Sequence, residues 1–404
     1  MPSTQPREIV IVGGGLIGVS TAYYLSKNSN LHSESKITLV EQDNVGAGNS
    51  GYASGLLERT EDELSQEGFD LHYKLSKDYK GDLKWGYKSI DLYKTTSHSS
   101  SSSSSSLSSS IITFPFLPST SLIRTKTETA ICQPFDLTRH LCGLFLTYPG
   151  ASIVIAKATS CIFEDEVEVE NNEKEEKGIS DMILNHTPCI EKITQFFNGT
   201  DKEDNKNDND NEKEENEKIN NNEKIRKRKI KGINVKQIIN GVEEIIHLKA
   251  NTLILSPGND LINLSKNLFG EEISLNLKIK KKEWESIILK PKEKLNPLVI
   301  KFDENKQNLE MIFRDDGKVI ISRPFQENSL NSYIESISSK FNSSNGTLIL
   351  SKTNWSISFL SDNFPLFGKF GEELDIDGIW YGIGGNTVQC PAIGSRLASE
   401  VLSE

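Results

Sequence analysis

Glu8-Ile9-Val10-Ile11-Val12 runs without a break into Gly13-Gly14-Gly15-Leu16-Ile17-Gly18 and then into Val19-Ser20-Thr21-Ala22-Tyr23-Tyr24-Leu25. An apolar β-type run, a Gly-x-Gly-x-x-Gly turn and an apolar helical pattern, in that order, describe the opening of a dinucleotide-binding βαβ unit. Each glycine has a mechanical reason: Gly13 for the tight turn, Gly15 for backbone approach to a pyrophosphate, Gly18 for close packing of helix on strand. The pyrophosphate would sit on the helix N-terminus, where free N–H groups and the positive end of the dipole favour an anion. The next strand, 36–40, ends in Glu41. A carboxylate there accepts hydrogen bonds from an adenosine ribose and repels a 2′-phosphate. The glycines alone leave NAD and FAD both open.

After Glu41 comes a run of small residues that includes Gly46, Gly48, Ser50, Gly51 and Gly55. Such a loop suits a backbone wrapped around an extended ligand, with Ser50 offered to a phosphate; its bland reading is a glycine-rich surface loop. On Gly46, Gly48, Ser50 and Gly55 the sequence resembles the D-amino-acid-oxidase and glycine-oxidase superfamily of FAD oxidoreductases. Thr252-Leu253-Ile254-Leu255-Ser256-Pro257-Gly258 is similar to the late strand-and-glycine element of that superfamily. Asp362-Asn363-Phe364-Pro365-Leu366-Phe367-Gly368, the glycine-rich 378–385 and Pro391-Ala392-Ile393-Gly394 resemble its closing strand, turn and flavin-capping helix. Segments 63–85 and 128–135 are similar to a fungal group within the superfamily. The resemblance implies non-covalent FAD held by Gly13, Gly15, Leu16, Ile17, Gly18, Glu41, Gly48, Ser50, Gly55, Gly258, Gly384, Gly385, Asn386 and Thr387.

It also implies the chemistry: a C–H bond beside an amine or hydroxyl of a small donor gives up a hydride, and the electrons pass to oxygen or another acceptor. Amino-acid oxidases of the superfamily grip the substrate carboxylate with an arginine just before Asp-x-x-Pro-x-x-Gly, because a guanidinium fork matches a carboxylate. Here that stretch is Trp355-Ser356-Ile357-Ser358-Phe359-Leu360-Ser361, without a basic residue. Ordinary amino-acid oxidation is therefore not expected. Arg314 and Arg323 are the catalytic-side candidates, each either an anion anchor or a hairpin surface charge. His72 reads as a packed or surface helix residue, and Cys390 does not match a covalent flavin attachment site. Asn386, Thr387 and Gln389 stand where the fungal group has a different cap. They either hydrogen-bond the flavin edge or mark a partly degraded cap, which keeps open a second reading, a scaffold with a protein-partner or trafficking role.

Of 404 residues 36% are apolar, a low share, and the net charge is −11. Two tracts account for both: a serine run at 97–110, and 164–224, with 20 acidic and 8 basic residues. Neither offers enough to bury, so both are expected to be mostly disordered inserts. The acidity belongs to an insert and says little about the site. The cluster 225–229 reads as an import signal, an anion-binding patch or, preferred, a solvated lead into the strand at 232–235. No nucleic-acid partner, membrane span, leader or metal site is expected. Five cysteines without Cys-x-x-Cys spacing suggest reduced thiols in the cytoplasm; the resemblance adds peripheral association with endosomal membranes.

The expected fold class is α/β: an FAD-binding Rossmann-like domain with an interleaved antiparallel-sheet substrate domain. Segments 7–57, 130–163, 230–262 and 355–404 would form the first, 60–125 and 266–354 the second, with inserts at 97–110 and 164–229. Roof strands are expected at 274–279, 286–289, 298–302, 309–313, 319–322 and 347–350, with an Asp316-Gly317 hairpin turn.

Overall fold

Ile9 to Val12 are buried at every position, the mark of a parallel strand covered on both faces. In the computed structural model of the chain the strand Glu8–Val12 is central in a six-stranded sheet. The order is Leu366–Lys369, Ile379–Ile383, Thr252–Leu255, Glu8–Val12, Lys36–Glu41, Ala151–Ile155. Neighbours are parallel except Leu366–Lys369 against Ile379–Ile383. The structure describes residues 5–95, 111–112, 120–164, 228–270, 279–302, 309–326, 343–359, 365–370 and 376–404, with Leu330, Ile334, Ile337 and Phe341. The chain divides into two units, Met1–Asp165 with Lys227–Glu404, and Glu166–Arg226. The second unit, the serine run and most of the acidic insert lie outside the described residues.

Helix Leu16–Lys27 packs on both Pro134–Phe145 and Cys390–Ser403. Val19, Leu25, Leu141, Phe145, Leu397 and Val401 of these helices share one core with Ile11 and Leu39 of the sheet. The proline at the start of each of the two later helices suits a position whose N–H has no intrahelical acceptor. This doubly covered sheet is the α/β layer read from the opening sequence.

A second sheet of eight strands runs Leu348–Phe359, Lys280–Lys290, Val319–Pro324, Leu309–Phe313, Leu298–Phe302, Leu92–Thr95, Thr120–Arg124, Ile111–Ile112. It is antiparallel except between Leu298–Phe302 and Leu92–Thr95. One face buries Ile287, Leu289, Ile300, Met311, Phe313 and Ile321 against Leu330, Ile334 and Phe341. On the other face Val299, Ile312 and Ile320 pack with Ile90, Leu92 and Ile131. This alternation is the period of two that a sheet imposes on its side chains. The expected Asp-Gly turn is present, with Gly317 at φ +79° and Arg314 N–H bonded to the Lys318 carbonyl at 2.9 Å.

The strands expected at 286–289 and 347–350 are short pieces of longer ones, Lys280–Lys290 and Leu348–Phe359, which pair with each other. The expected strand at 274–279 lies almost wholly outside the described residues. Residues 355–359, assigned from sequence to the nucleotide-binding segments, run on as the end of the roof strand. Trp355 faces Trp284 across the pair, ring centroids 5.7 Å apart and nearly parallel, an aromatic cross-strand contact that stabilises this register.

Candidate cofactor and substrate site

The carboxyl ends of the parallel strands open into a cavity of about 610 Å³, the place where open α/β sheets take their ligands. Gly13 to Ile17, Glu41 to Asp43, Ala47 to Ser50 and Ser256 to Gly258 form one end. Trp284, Glu310, Ser322, Trp355 and Ile357 of the eight-stranded sheet form the other, and Gly384 to Thr387 with Cys390 lie along it.

The three glycines of the fingerprint do different work. A Cβ on Gly13, at φ +113°, would come within 2.2 Å of the Ser256 carbonyl oxygen, and one on Gly18 within 2.1 Å of the Gly13 oxygen. Both are demanded by the folded chain itself. A Cβ on Gly15 would meet only the Ser50 hydroxyl, at 3.5 Å, so the fold leaves space there that it does not use. Around this space the backbone is set for an anion. Helix Leu16–Lys27 has no side-chain cap and no acidic residue in its first turn, so its dipole faces the cavity uncompensated. The Leu16 N–H donates to Ser50 Oγ at 2.8 Å. The Glu41 carboxylate is fixed by the Gly14 N–H at 2.6 Å and the Asp43 N–H at 3.0 Å.

Gly13, Gly15, Leu16, Ile17, Glu41, Gly48, Ser50, Gly258, Gly384, Gly385, Asn386 and Thr387 all line the cavity. Gly18 and Gly55 do not. Their place is one of packing, since a Cβ on Gly55 would stand 2.0 Å from the Cys132 carbonyl oxygen. The side chains at the closing turn also differ from expectation. Asn386 Oδ1 accepts from the Gln389 N–H and Gln389 Oε1 accepts from the Asn386 N–H, both at 3.1 Å. Gln389 Nε2 donates to Asp62 Oδ1 at 3.2 Å, and Asp62 caps helix Glu63–Tyr79 through the Ser65 N–H. Asn386 and Gln389 thus tie the turn to itself and to a neighbouring helix.

His72 completes that tie. It is wholly buried and its Nε2 donates to the Thr387 carbonyl at 3.0 Å. Burial pushes its pKa down to about 4, against the contribution of that hydrogen bond, so near neutral pH it is an uncharged packed residue. Burial likewise pushes the Cys390 thiol up to about 12, and Cys390 Sγ donates to the Asn386 carbonyl at 3.2 Å. A thiol so far from ionisation is a poor nucleophile.

At the roof end the sheet register sets Ser286 beside Ser322 and Ser322 beside Glu310. The Ser286 and Ser322 hydroxyls are 2.8 Å apart, and Trp355 Nε1 donates to Ser286 Oγ at 2.8 Å. Ser54 Oγ donates to Glu310 Oε2 at 3.1 Å, and Lys301 Nζ lies 3.9 Å from its other oxygen. Burial raises the Glu310 carboxyl above the usual range, opposed by Lys301.

Neither candidate arginine is among the residues lining the cavity. Arg314 is buried and its Nη2 donates to the carbonyls of Cys132 at 2.8 Å and Ser54 at 3.3 Å, tying the hairpin to the loop beneath it. Arg323 follows Ser322, and successive strand residues point to opposite faces. It is wholly buried, with Nε donating to Glu285 Oε1 at 2.6 Å. The sequence reading passed over Glu310, Trp284 and Trp355. Their signal was parity, because Leu309-Glu310-Met311 alternates an acid between two buried apolar residues.

Residues 8–101 match the family described as FAD dependent oxidoreductase (DAO). "Putative oxidoreductase C1F5.03c" of Schizosaccharomyces pombe is 36% identical over 96 residues of the chain, and "Putative oxidoreductase TDA3" of Saccharomyces cerevisiae 39% over 91. The matched stretch is 22% of this chain in both cases and spans only 25% and 17% of those relatives. The fold likeness covers far more. Glycine oxidase from Bacillus cereus superposes over 98% of this chain and 97% of its own at a TM-score of 0.62 and 13% identity. L-proline dehydrogenase from P. horikoshii superposes over 99% and 93% at 0.61 and 15%. The fold shared with these two structures thus extends well beyond the matching sequence. Among the described residues no helix is long and apolar enough to cross a membrane.

Proposed function

We propose that this chain holds FAD non-covalently in the cavity and oxidises a small amine- or hydroxyl-bearing donor by hydride removal. The observation that carries the reading is the unused space at Gly15, in front of an uncapped helix N-terminus and beside a carboxylate at the end of the second strand. A pyrophosphate fits that space, with the Ile17 N–H and the Ser50 hydroxyl as donors, the latter oriented by accepting from the Leu16 N–H, and Glu41 takes the ribose hydroxyls. FAD supplies the two-electron hydride acceptor of the reaction and can hand the electrons on to oxygen. Gly258, Gly384, Gly385, Asn386 and Thr387 line the path toward the roof and offer backbone rather than charge.

The described lining holds no arginine. A donor carboxylate enclosed there would lack a counter-charge, at a cost of several kcal/mol, so ordinary amino acids are not the donors. Cys132, Cys142, Cys161 and Cys390 are all free thiols, which supports a cytoplasmic location.

The visible spectrum of the purified protein tests the cofactor. Oxidised flavin bands are expected in the wild type, with Gly15→Val folding normally and losing them. Bound NAD without flavin, or full flavin content in Gly15→Val, overturns the assignment. Anaerobic mixing with amino acids, N-methyl amino acids, 2-hydroxy acids and simple amines is expected to bleach the band only with donors lacking a carboxylate.

A further inference from the structure

Resting on that reading, we infer that the donor is an amine with an apolar substituent and no carboxylate. Its cationic nitrogen is held by Glu310, and its substituent lies along Trp284, Trp355 and Ile357.

Among the side chains that line the cavity, the charge at the roof end has one sign. Glu58 and Glu310 line the cavity there, while the cationic residue in the described lining, Lys157, belongs to the other end, next to Ala156, whose N–H bonds the Glu41 carbonyl. The cations near the two roof carboxylates serve mainly Glu58. Arg124 Nε is 3.6 Å from Glu58 Oε1, and Lys301 Nζ bonds Glu58 Oε2 directly. Glu310 is left with a neutral donor, the Ser54 hydroxyl, and a lysine at 3.9 Å, beyond hydrogen-bond distance. Burial first and Glu58 next raise its carboxyl, with Lys301 opposing. An ammonium in the cavity supplies the close charged donor that Ser54 and Lys301 do not. A carboxylate would add a third negative group, and a hydroxyl would leave Glu310 as it stands.

The apolar half follows from register. Glu310, Ser322 and Ser286 run across three adjacent strands, and Trp284 lies two residues along from Ser286 on the same face. Strand spacing and rise put the backbones of Glu310 and Trp284 roughly 12 Å apart. That separation suits a charged head at one end and an alkyl or aryl group on the indoles. The Trp284 ring already accepts an ammonium, since Lys282 Nζ lies 5.5 Å from its centroid.

In the reaction the nitrogen would first give its proton to solvent, and the carbon beside it would then give up a hydride, which bound FAD would accept. A C=N bond forms, and water then hydrolyses it to a carbonyl compound and the released amine. The two electrons leave by way of oxygen or another acceptor.

Calorimetric titration of the flavin-loaded protein with hexylamine, hexanol and hexanoate, after reduction of the flavin with dithionite under anaerobic conditions, tests binding without turnover. Hexylamine is expected to bind at least about tenfold more tightly than hexanol, with hexanoate weakest. Glu310→Gln keeps the shape and the Ser54 contact, and is expected to remove that preference while flavin content and hexanol binding hold. Tightest binding of hexanoate, or no preference for hexylamine in the wild type, overturns the inference even if the variant does not fold. Absence of flavin bands instead overturns the underlying function, and the two failures are read from different signals.

Discussion

The two ends of the cavity are built from opposite materials. At the nucleotide end the wall is backbone: glycines, helix N–H groups and one carboxylate pinned by two main-chain donors. At the roof end it is side chain: two indoles, two carboxylates and serine hydroxyls projecting from a sheet. A backbone wall is specified by what is missing, and spaced glycines after a strand announce it. A side-chain wall is specified by which of two faces a residue takes, and nothing in the residue itself says so. The same contrast separates the arginines. Arg323 and Ser322 are neighbours in sequence, yet only the serine reaches the cavity.

The contrast breaks first at Arg323. Arg323→Ala leaves the Glu285 carboxylate without the buried guanidinium that pairs with it, and is expected to cost about 3–5 kcal/mol of stability in urea denaturation. The flavin band should be unchanged in the folded fraction. Near-normal stability with lost donor binding would instead place Arg323 in the substrate site.

Next come the glycines. Gly13→Ala combines a clash with a backbone carbonyl and an unfavourable positive φ, and should cost about 3 kcal/mol or more. Gly15→Ala should leave the melting temperature unchanged and weaken flavin retention. If both variants lose stability alike, the space at Gly15 is not reserved for a ligand.

The turn that joins the two ends titrates. Free imidazole gains its proton near pH 6.5, whereas buried His72 resists until about 4. The unfolded chain therefore binds more protons in that window. The stability held above pH 6.5 falls as the pH drops toward 4, by about 3 kcal/mol from this residue. Denaturation midpoints at pH 7 and 4.5 should differ less in His72→Gln than in the wild type. An equal pH response in both would show that other groups carry it.

The smallest effect is expected at Ser50. Ser50→Ala removes the acceptor of the Leu16 N–H and should cost about 1 kcal/mol, with a modest rise in flavin dissociation measured by dilution. No change in either would make the hydroxyl a bystander.

The opening strand, its glycine turn, helix and acid were readable because each is a local demand. Period, turn chemistry and dipole act within a few residues of one another. The Arg314 to Lys318 hairpin was readable for the same reason. The roof was less so. Its strands at 298–302, 309–313 and 319–322 are visible in the apolar runs, but Leu348–Phe359 and Lys280–Lys290 exceed what those runs suggest, because pairing with each other extends them over polar and lysine-rich residues. Asn386 and Gln389 bond to each other, and Gln389 to Asp62, contacts that no local pattern announced.

By itself the sequence determined the α/β class, the glycine-walled end of the cavity and the absence of a basic residue before the closing element, because these depend on local backbone geometry or on composition. Only the tertiary structure decided that Arg314 and Arg323 turn away from the cavity while Glu310, Trp284 and Trp355 turn toward it. Facing in a sheet is set by register between strands far apart in the chain, and a shift of one residue would exchange Arg323 with Ser322; Arg314 shares the parity of Glu310 and is kept out by its bonds to the Cys132 and Ser54 carbonyls.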